Sequence, residues 1–240
     1  PKGLANLISV CIETSPHLRP TFNEIVDLFL NEEVLFDDTD PSEFFLTAQQ
    51  LMGRKDVPID FSTAVARNMI PVVRKKFEEN NDLKYYDDNK KYCLQVAIFN
   101  NSVEMVNLLV SNPNIDVNVV DENGRTSLHI AVINNHPQLV ISLLACPKLN
   151  VNLIDNSGKT ALHYSTEKTN LCFSALLGHP SIDVNIPTKD GKTAMYLAVD
   201  SMNMNAIMCL LSQPGIDINA GPKDDTPIVL ASRKNYNDVL

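Results

Sequence analysis

Apolar residues recur through the carboxy-terminal three quarters of the chain as short stripes of helical spacing, each pair of stripes followed by a polar turn. Leu128, Ala131 and Val132 make one stripe, and Leu139, Val140, Leu143 and Leu144 make the next. Spacings of three and four residues place each set on one face of a helix. Helices this short are not stable alone, so each must bury its stripe against neighbours. The runs Asp121-Glu122-Asn123-Gly124 and Asp155-Asn156-Ser157-Gly158 separate the pairs. Asp accepts local backbone hydrogen bonds and Gly tolerates positive φ, which is the chemistry of a turn. The predicted unit is turn, helix, helix, loop.

That unit repeats. Thr126-Ser127-Leu128-His129 returns as Thr160-Ala161-Leu162-His163, as Thr193-Ala194-Met195-Tyr196 and as Thr226-Pro227-Ile228-Val229, at spacings of 34, 33 and 33. A second marker, Ile115-Asp116-Val117-Asn118, returns as Leu149-Asn150-Val151-Asn152, Ile182-Asp183-Val184-Asn185 and Ile216-Asp217-Ile218-Asn219, at 34, 33 and 34. A fixed period of this length marks an array in which each unit covers the next. Two faults interrupt it. Thr160 to Pro180 is one residue shorter than Thr126 to Pro147, which predicts distorted packing in the third helix pair. Asn219 to Thr226 is one shorter than Asn185 to Thr193, which predicts an atypical finger over Ala220-Gly221-Pro222-Lys223-Asp224.

These motifs resemble the ankyrin repeat, whose pattern includes T-P-L-H followed by Ala, from about residue 87 to the end of the chain. The resemblance implies an all-α solenoid of helix-turn-helix repeats of 33–34 residues, starting near residues 87, 121, 155 and 188, with a truncated last repeat at 222–240. Counting back from Ala97 reaches Ala64, and the stretch from Arg67 to Val73 aligns with Asn100 to Val106, so residues 57–86 read as a degenerate first repeat. Lys75 and Lys76 stand there where the next repeat has Leu108 and Leu109, as a terminal unit facing water requires. By the same resemblance Thr126 and Thr160 cap the first helices and bond His129 and His163, which are structural residues.

Residues 1–36 do not share the period. Leu7-Ile8, Cys11, Pro16, Arg19-Pro20-Thr21-Phe22 and Glu24-Ile25 resemble the last helices of a protein kinase catalytic lobe of the tyrosine-kinase-like group, with Ile12 where Trp is usual. The resemblance implies that Arg19 is the buried, structural arginine that pairs with a glutamate upstream of Pro1. An Arg flanked by Leu18, Pro20 and Phe22 is costly to bury unless a carboxylate meets it; the alternative is a solvated Arg before a proline-initiated helix. Residues 37–56 read as an acidic linker with a short helix through Phe44, Phe45, Ala48 and Leu51. Pro1 as the first residue, and an array that stops inside a helix pair, lead us to expect a piece of a longer kinase-ankyrin protein, the parent being a serine/threonine kinase.

Composition narrows the function. The net charge of −9 opposes phosphate backbones, so nucleic acid is not expected. No run approaches the length of a membrane span, and no signal peptide is visible, so an intracellular, cytoplasmic location is expected. The five cysteines lie far apart with no C-x-x-C pair, as reduced core residues do. The glycine-rich phosphate loop, the strand lysine, H-R-D and D-F-G are all absent from these residues. We therefore expect no catalysis, no metal and no cofactor, ATP and magnesium belonging only to an intact parent kinase.

The expected function is protein binding by a monomer, the array recruiting or holding a substrate or regulator of an upstream kinase domain. A stand-alone ankyrin scaffold or inhibitor is the alternative. By resemblance the partner contacts the concave face of turn tips and first helices: Asp88, Asn89 and Lys91; Glu122, Asn123 and Arg125; Asn156, Ser157 and Lys159; Lys189, Asp190 and Lys192; and Phe99, Ile133, Glu167 and Asp200. Phe99 and Ile133 stand out as apolar residues at water-facing positions. Lys91, Arg125, Lys159 and Lys192 form a basic column at one repeated position, suited to an acidic partner or simply filling a solvated turn site.

Overall fold

The computed structural model describes residues 61–79, 92–166 and 170–236. The chain divides into two compact units, residues 1–84 and 85–240. The readings of residues 1–60, Arg19 among them, fall outside the described residues.

In the first unit, α1 (Phe61–Ala66) and α2 (Ile70–Glu78) pack as a pair, with Phe61, Ala64, Val65 and Val73 buried. Pro71 stands in the first turn of α2, where its missing N–H costs nothing. Asn68 turns the chain between the two with φ 54°.

The second unit contains α3 (Cys93–Phe99) and α4 (Val103–Ser111), α5 (Ser127–Ile133) and α6 (Pro137–Leu144), α7 (Ala161–Ser165) and α8 (Phe173–Leu177), α9 (Ala194–Asp200) and α10 (Met204–Leu211), and α11 (Pro227–Arg233). The odd-numbered helices from α3 to α11 pack in one row and the even-numbered ones from α4 to α10 in a second. Among the described residues no strand forms, and the array is all-α, with an isolated bridge between Val120 and Thr126. Leu94, Ile98, Met105, Leu109, Leu128, Leu139, Leu143, Leu162, Leu176 and Leu210 are fully buried where the rows meet. Each such Leu contributes roughly 2 kcal/mol of apolar burial. The stripes read from the sequence are thus the inner faces of the two rows.

Local signals set the helix boundaries. Thr126 Oγ1 accepts from His129 N–H, while Thr126 N–H donates to His129 Nδ1, so the side chain that usually closes a capping box is here an imidazole. Ser102 and Asn203 cap α4 and α10. Two residues beyond α1, α3, α5, α9 and α11 the chain is left-handed, at Asn68, Asn101, Asn135, Met202 and Asn235, with φ of 52–57°. Asn tolerates that conformation because its short polar side chain bonds locally; Met has no such compensation.

The Asn of the second marker has a role that periodicity did not disclose. Asn118 Nδ2 donates to the Lys148 carbonyl and its Oδ1 accepts from Asn150 N–H. Asn152 bonds Ser181 and Asp183 in the same way, and Asn185 bonds Gly215 and Asp217. Each amide satisfies two backbone groups of the next loop, so the marker is a ladder that ties repeat to repeat.

The third pair, where the missing residue predicts distorted packing, is short: α7 and α8 have 5 residues each, against 7 and 8 in the pair before. Asn135 and Asn170 patch the entry to α8, Asn170 Nδ2 donating to the Val132 carbonyl and Asn135 Oδ1 accepting from Leu171 N–H. Cys93, Cys146 and Cys172 are buried, and burial pushes the Cys172 thiol up to about 11.

Candidate interaction face of the fingers and first helices

Each finger is built by one side chain. Asp121 Oδ1 accepts from the N–H groups of Asn123 and Arg125, both at 2.8 Å. Asp155 Oδ1 does the same for Ser157 and Lys159, and Thr188 Oγ1 serves Lys192. A glycine completes the turn: Gly124, Gly158 and Gly191 have φ of 73°, 78° and 77°. Neighbouring fingers then bond tip to tip, Asn156 N–H to the Asn123 carbonyl at 2.9 Å and Lys189 N–H to the Ser157 carbonyl at 3.2 Å. A Cβ on Gly158 would lie 2.6 Å from Lys189 N, so that glycine also makes room for the next finger.

Below the fingers, the first helices are joined by buried polar groups. Thr126 N–H and hydroxyl meet His129 Nδ1, which leaves Nε2 to donate to the Lys159 carbonyl of the next finger at 3.0 Å. Thr160 holds His163 Nδ1 in the same way, at 2.8 Å, but His163 Nε2 is buried without a hydrogen-bond partner, the backbone of Ile186 and Lys192 lying near it outside bonding geometry. Burial depresses both imidazoles, His163 to about 4. At the next join Tyr196 takes the place of His, and its hydroxyl donates to Asp225 at 2.7 Å. Asp225 also receives Arg233, at 3.0 Å.

The basic column is only half exposed. Arg125 and Lys159 both lie against the ring of Tyr164, at 5.8 and 4.9 Å from its centre, and Lys192 lies 5.7 Å from the ring of Tyr196. The Tyr164 hydroxyl is bonded to Asp155, so the rings are fixed and the cations rest on them. Burial opposes the charge on Asp155, but Tyr164 and the finger N–H groups outweigh it and hold its carboxyl below the usual range. Among the described residues none of Arg125, Lys159 and Lys192 makes an ion pair, whereas Arg233 and Lys234 are paired with Asp225 and Asp200. In the last finger Asp225 stands where Arg125, Lys159 and Lys192 stand in the others, and Asp224 takes the glycine's left-handed place with φ 62°.

Of the other residues proposed for contact, Phe99 and Ile133 are 59% and 40% exposed at the ends of α3 and α5, uncovered by the following finger. Glu122, Asn123, Asn156, Ser157, Lys189 and Asp190 are exposed at finger tips, though Asn156 spends its side-chain N–H on the Glu122 carbonyl. Asp200 is tied to Lys234. Asp88, Asn89, Lys91 and Glu167 lie outside the described residues. Sequence reasoning missed Tyr164, Tyr196 and Asp225, and for Asp155 it gave the turn but not the bond to Tyr164. The signal for the tyrosines was present: one directly follows the motif His and the other replaces it.

Among the described residues no helix is long and apolar enough to cross a membrane, and no cluster of His, Cys, Asp and Glu is arranged to hold a metal. No curated protein matches the chain in sequence. In fold it is similar to the ankyrin repeat domain of Bcl-3, a unique member of the IkappaB protein family, at a TM-score of 0.65 and 22% identity, covering 75% of this chain and 82% of that one. An ankyrin repeat domain from Acinetobacter baumannii AYE is similar at a TM-score of 0.65 and 20% identity, covering 75% and 93%. The family model for ankyrin repeats (3 copies) matches residues 61–155, 94–187 and 134–221 in overlapping registers. A match over that span, on a two-row array of short helices joined by bonded fingers, means that the chain belongs to the ankyrin-repeat family.

Proposed function

We propose that residues 57–240 form a protein-interaction module whose fingers and first helices hold a segment of another protein. Ankyrin repeats generally mediate protein–protein interaction, and fold alone does not say which face is used or by whom. The observation that carries our reading is the composition of one face: apolar Phe99 and Ile133 stand uncovered, and three cations stand without carboxylate partners. In the parent protein the bound segment belongs to a substrate or regulator of a kinase domain, of which residues 1–36 are the end and residues 37–56 the connection. Arg19 then meets its glutamate in that domain. The absence of phosphate-transfer motifs from these 240 residues equally suits a stand-alone scaffold or inhibitor. Sequencing the gene separates the two, since the kinase reading requires H-R-D and D-F-G to be encoded ahead of these 240 residues and is overturned if they are not.

The face itself is tested by capture from cell extract on the chain and on a Phe99→Ala, Ile133→Ala variant. Loss of a captured protein at unchanged helical circular dichroism supports the reading. Unchanged capture places the site on another surface.

A further inference from the structure

Arg125, Lys159 and Lys192 occupy one register position in three successive fingers, and Asp225 occupies it in the next. Asp155, the nearest buried carboxylate, is spent on Tyr164 and on two finger N–H groups, so it is not an ion-pair partner for the row. Asp225 is likewise spent, on Tyr196 and Arg233. The result, among the described residues, is a row of three positive charges at one repeated position with a defined end at Asp225, on a chain whose net charge is −9. Tyr164 and Tyr196 back the three side chains, so little rotamer freedom remains to be lost when an anion is met.

Spacing decides what fits. Helices packed side by side stand about 8–10 Å apart, and because the packed first helices carry the fingers, that is the interval expected of the row. A polyproline II segment turns once every three residues and rises about 3.1 Å per residue, so it presents side chains on one edge about 9 Å apart. A β-strand presents one face every second residue, at roughly 7 or 13 Å, and meets the interval at neither. An α-helix reaches it only at every seventh residue.

We propose that the row receives an extended acidic segment of a protein partner, in polyproline II conformation, with Asp or Glu at three positions spaced three residues apart. This rests on the interaction face proposed above and names the chemistry of its partner. Because Asp225 ends the row, the fourth position of the segment is neutral or basic.

The probe is a random dodecapeptide library displayed on phage and selected on the immobilised 240-residue chain. Enriched sequences are expected to carry acids three residues apart. A synthetic peptide of that pattern is then compared by fluorescence anisotropy with one of the same composition whose acids are adjacent. The adjacent form should bind about tenfold more weakly, as should the spaced form to Lys159→Gln or Lys192→Gln, and binding to the unaltered chain should fall steeply between about 50 and 500 mM salt. The salt series needs no substitution and so stands even where a variant fails to fold. Enrichment without acids, acids at a spacing of seven, or indifference to spacing overturns the proposal. Peptides without acids whose binding is lost in the Phe99→Ala, Ile133→Ala variant overturn the acidic row and leave the face intact. Peptides indifferent to both sets of substitutions overturn the row and the face together.

Discussion

The join between α5 and α7 and the join between α7 and α9 are built from the same motif and come out differently. At the first, His129 is bonded through both nitrogens, Nδ1 to Thr126 and Nε2 to the Lys159 carbonyl. At the second, His163 has the same bond to Thr160, while Nε2 has only the nearby backbone of Lys192 and Ile186, outside good bonding geometry. A buried polar group without a partner costs about 1–3 kcal/mol. The difference teaches that a conserved-looking tetrad does not guarantee a complete contact: the partner is a carbonyl of the next finger, so the bond depends on the spacing between repeats. The pair that contains the orphan is the one whose helices are short.

Acid should break the second join hardest. His163 stays neutral in the fold down to about pH 4, while in the unfolded chain it takes a proton near its ordinary value of 6.5. A depressed imidazole therefore stabilises the fold fully above about pH 7 and loses that contribution as pH falls from about 6.5 to about 4. At about 1.4 kcal/mol per pH unit the loss is roughly 3 kcal/mol. Urea midpoints at several pH values in that window measure it, and a His163→Gln variant should lose most of the slope. An unchanged slope in the variant would assign the acid sensitivity to other groups.

A smaller effect tests the fingers that bridge the two joins. Gly158→Ala puts a Cβ 2.6 Å from Lys189 N at a φ of 78°, whereas Gly178→Ala meets nothing closer than 3.5 Å and keeps an ordinary φ. The first should cost about 2 kcal/mol and the second nothing or a slight gain. Thermal unfolding of the two side by side decides it; equal melting points would mean that the finger contact yields freely.

The smallest expected change is a gain. Met202 holds the left-handed position that Asn68, Asn101, Asn135 and Asn235 hold after α1, α3, α5 and α11. Met202→Asn should stabilise the chain by about 0.5–1 kcal/mol, because Asn visits that conformation at less cost. No gain in a denaturant titration would show that contacts of the exposed Met side chain compensate the backbone.

The sequence was legible wherever a residue acts through its own period. The stripes of Leu128, Ala131 and Val132, the Thr126 and Thr160 caps and the glycines of the fingers all repeat at 33–34 residues, and the helices and turns stand where that period places them. What periodicity hid were contacts between unlike positions. Tyr164 reaches back to Asp155 within its own repeat, while Tyr196 reaches forward to Asp225 in the next, so no shared register announces either bond. The basic column was visible as charge, but its half-buried seat on two tyrosine rings was not, because a ring's direction depends on packing.

The Asn ladder of Asn118, Asn152 and Asn185 has a mechanical meaning. Each amide clips one loop to the next, so a tension applied along the array passes through the clips in series. Links in series carry the same load, and the one with the least to lose parts first. In this chain the clips are alike, two bonds each, so the place expected to yield first is where the packing between clips is thinnest, at the short third pair.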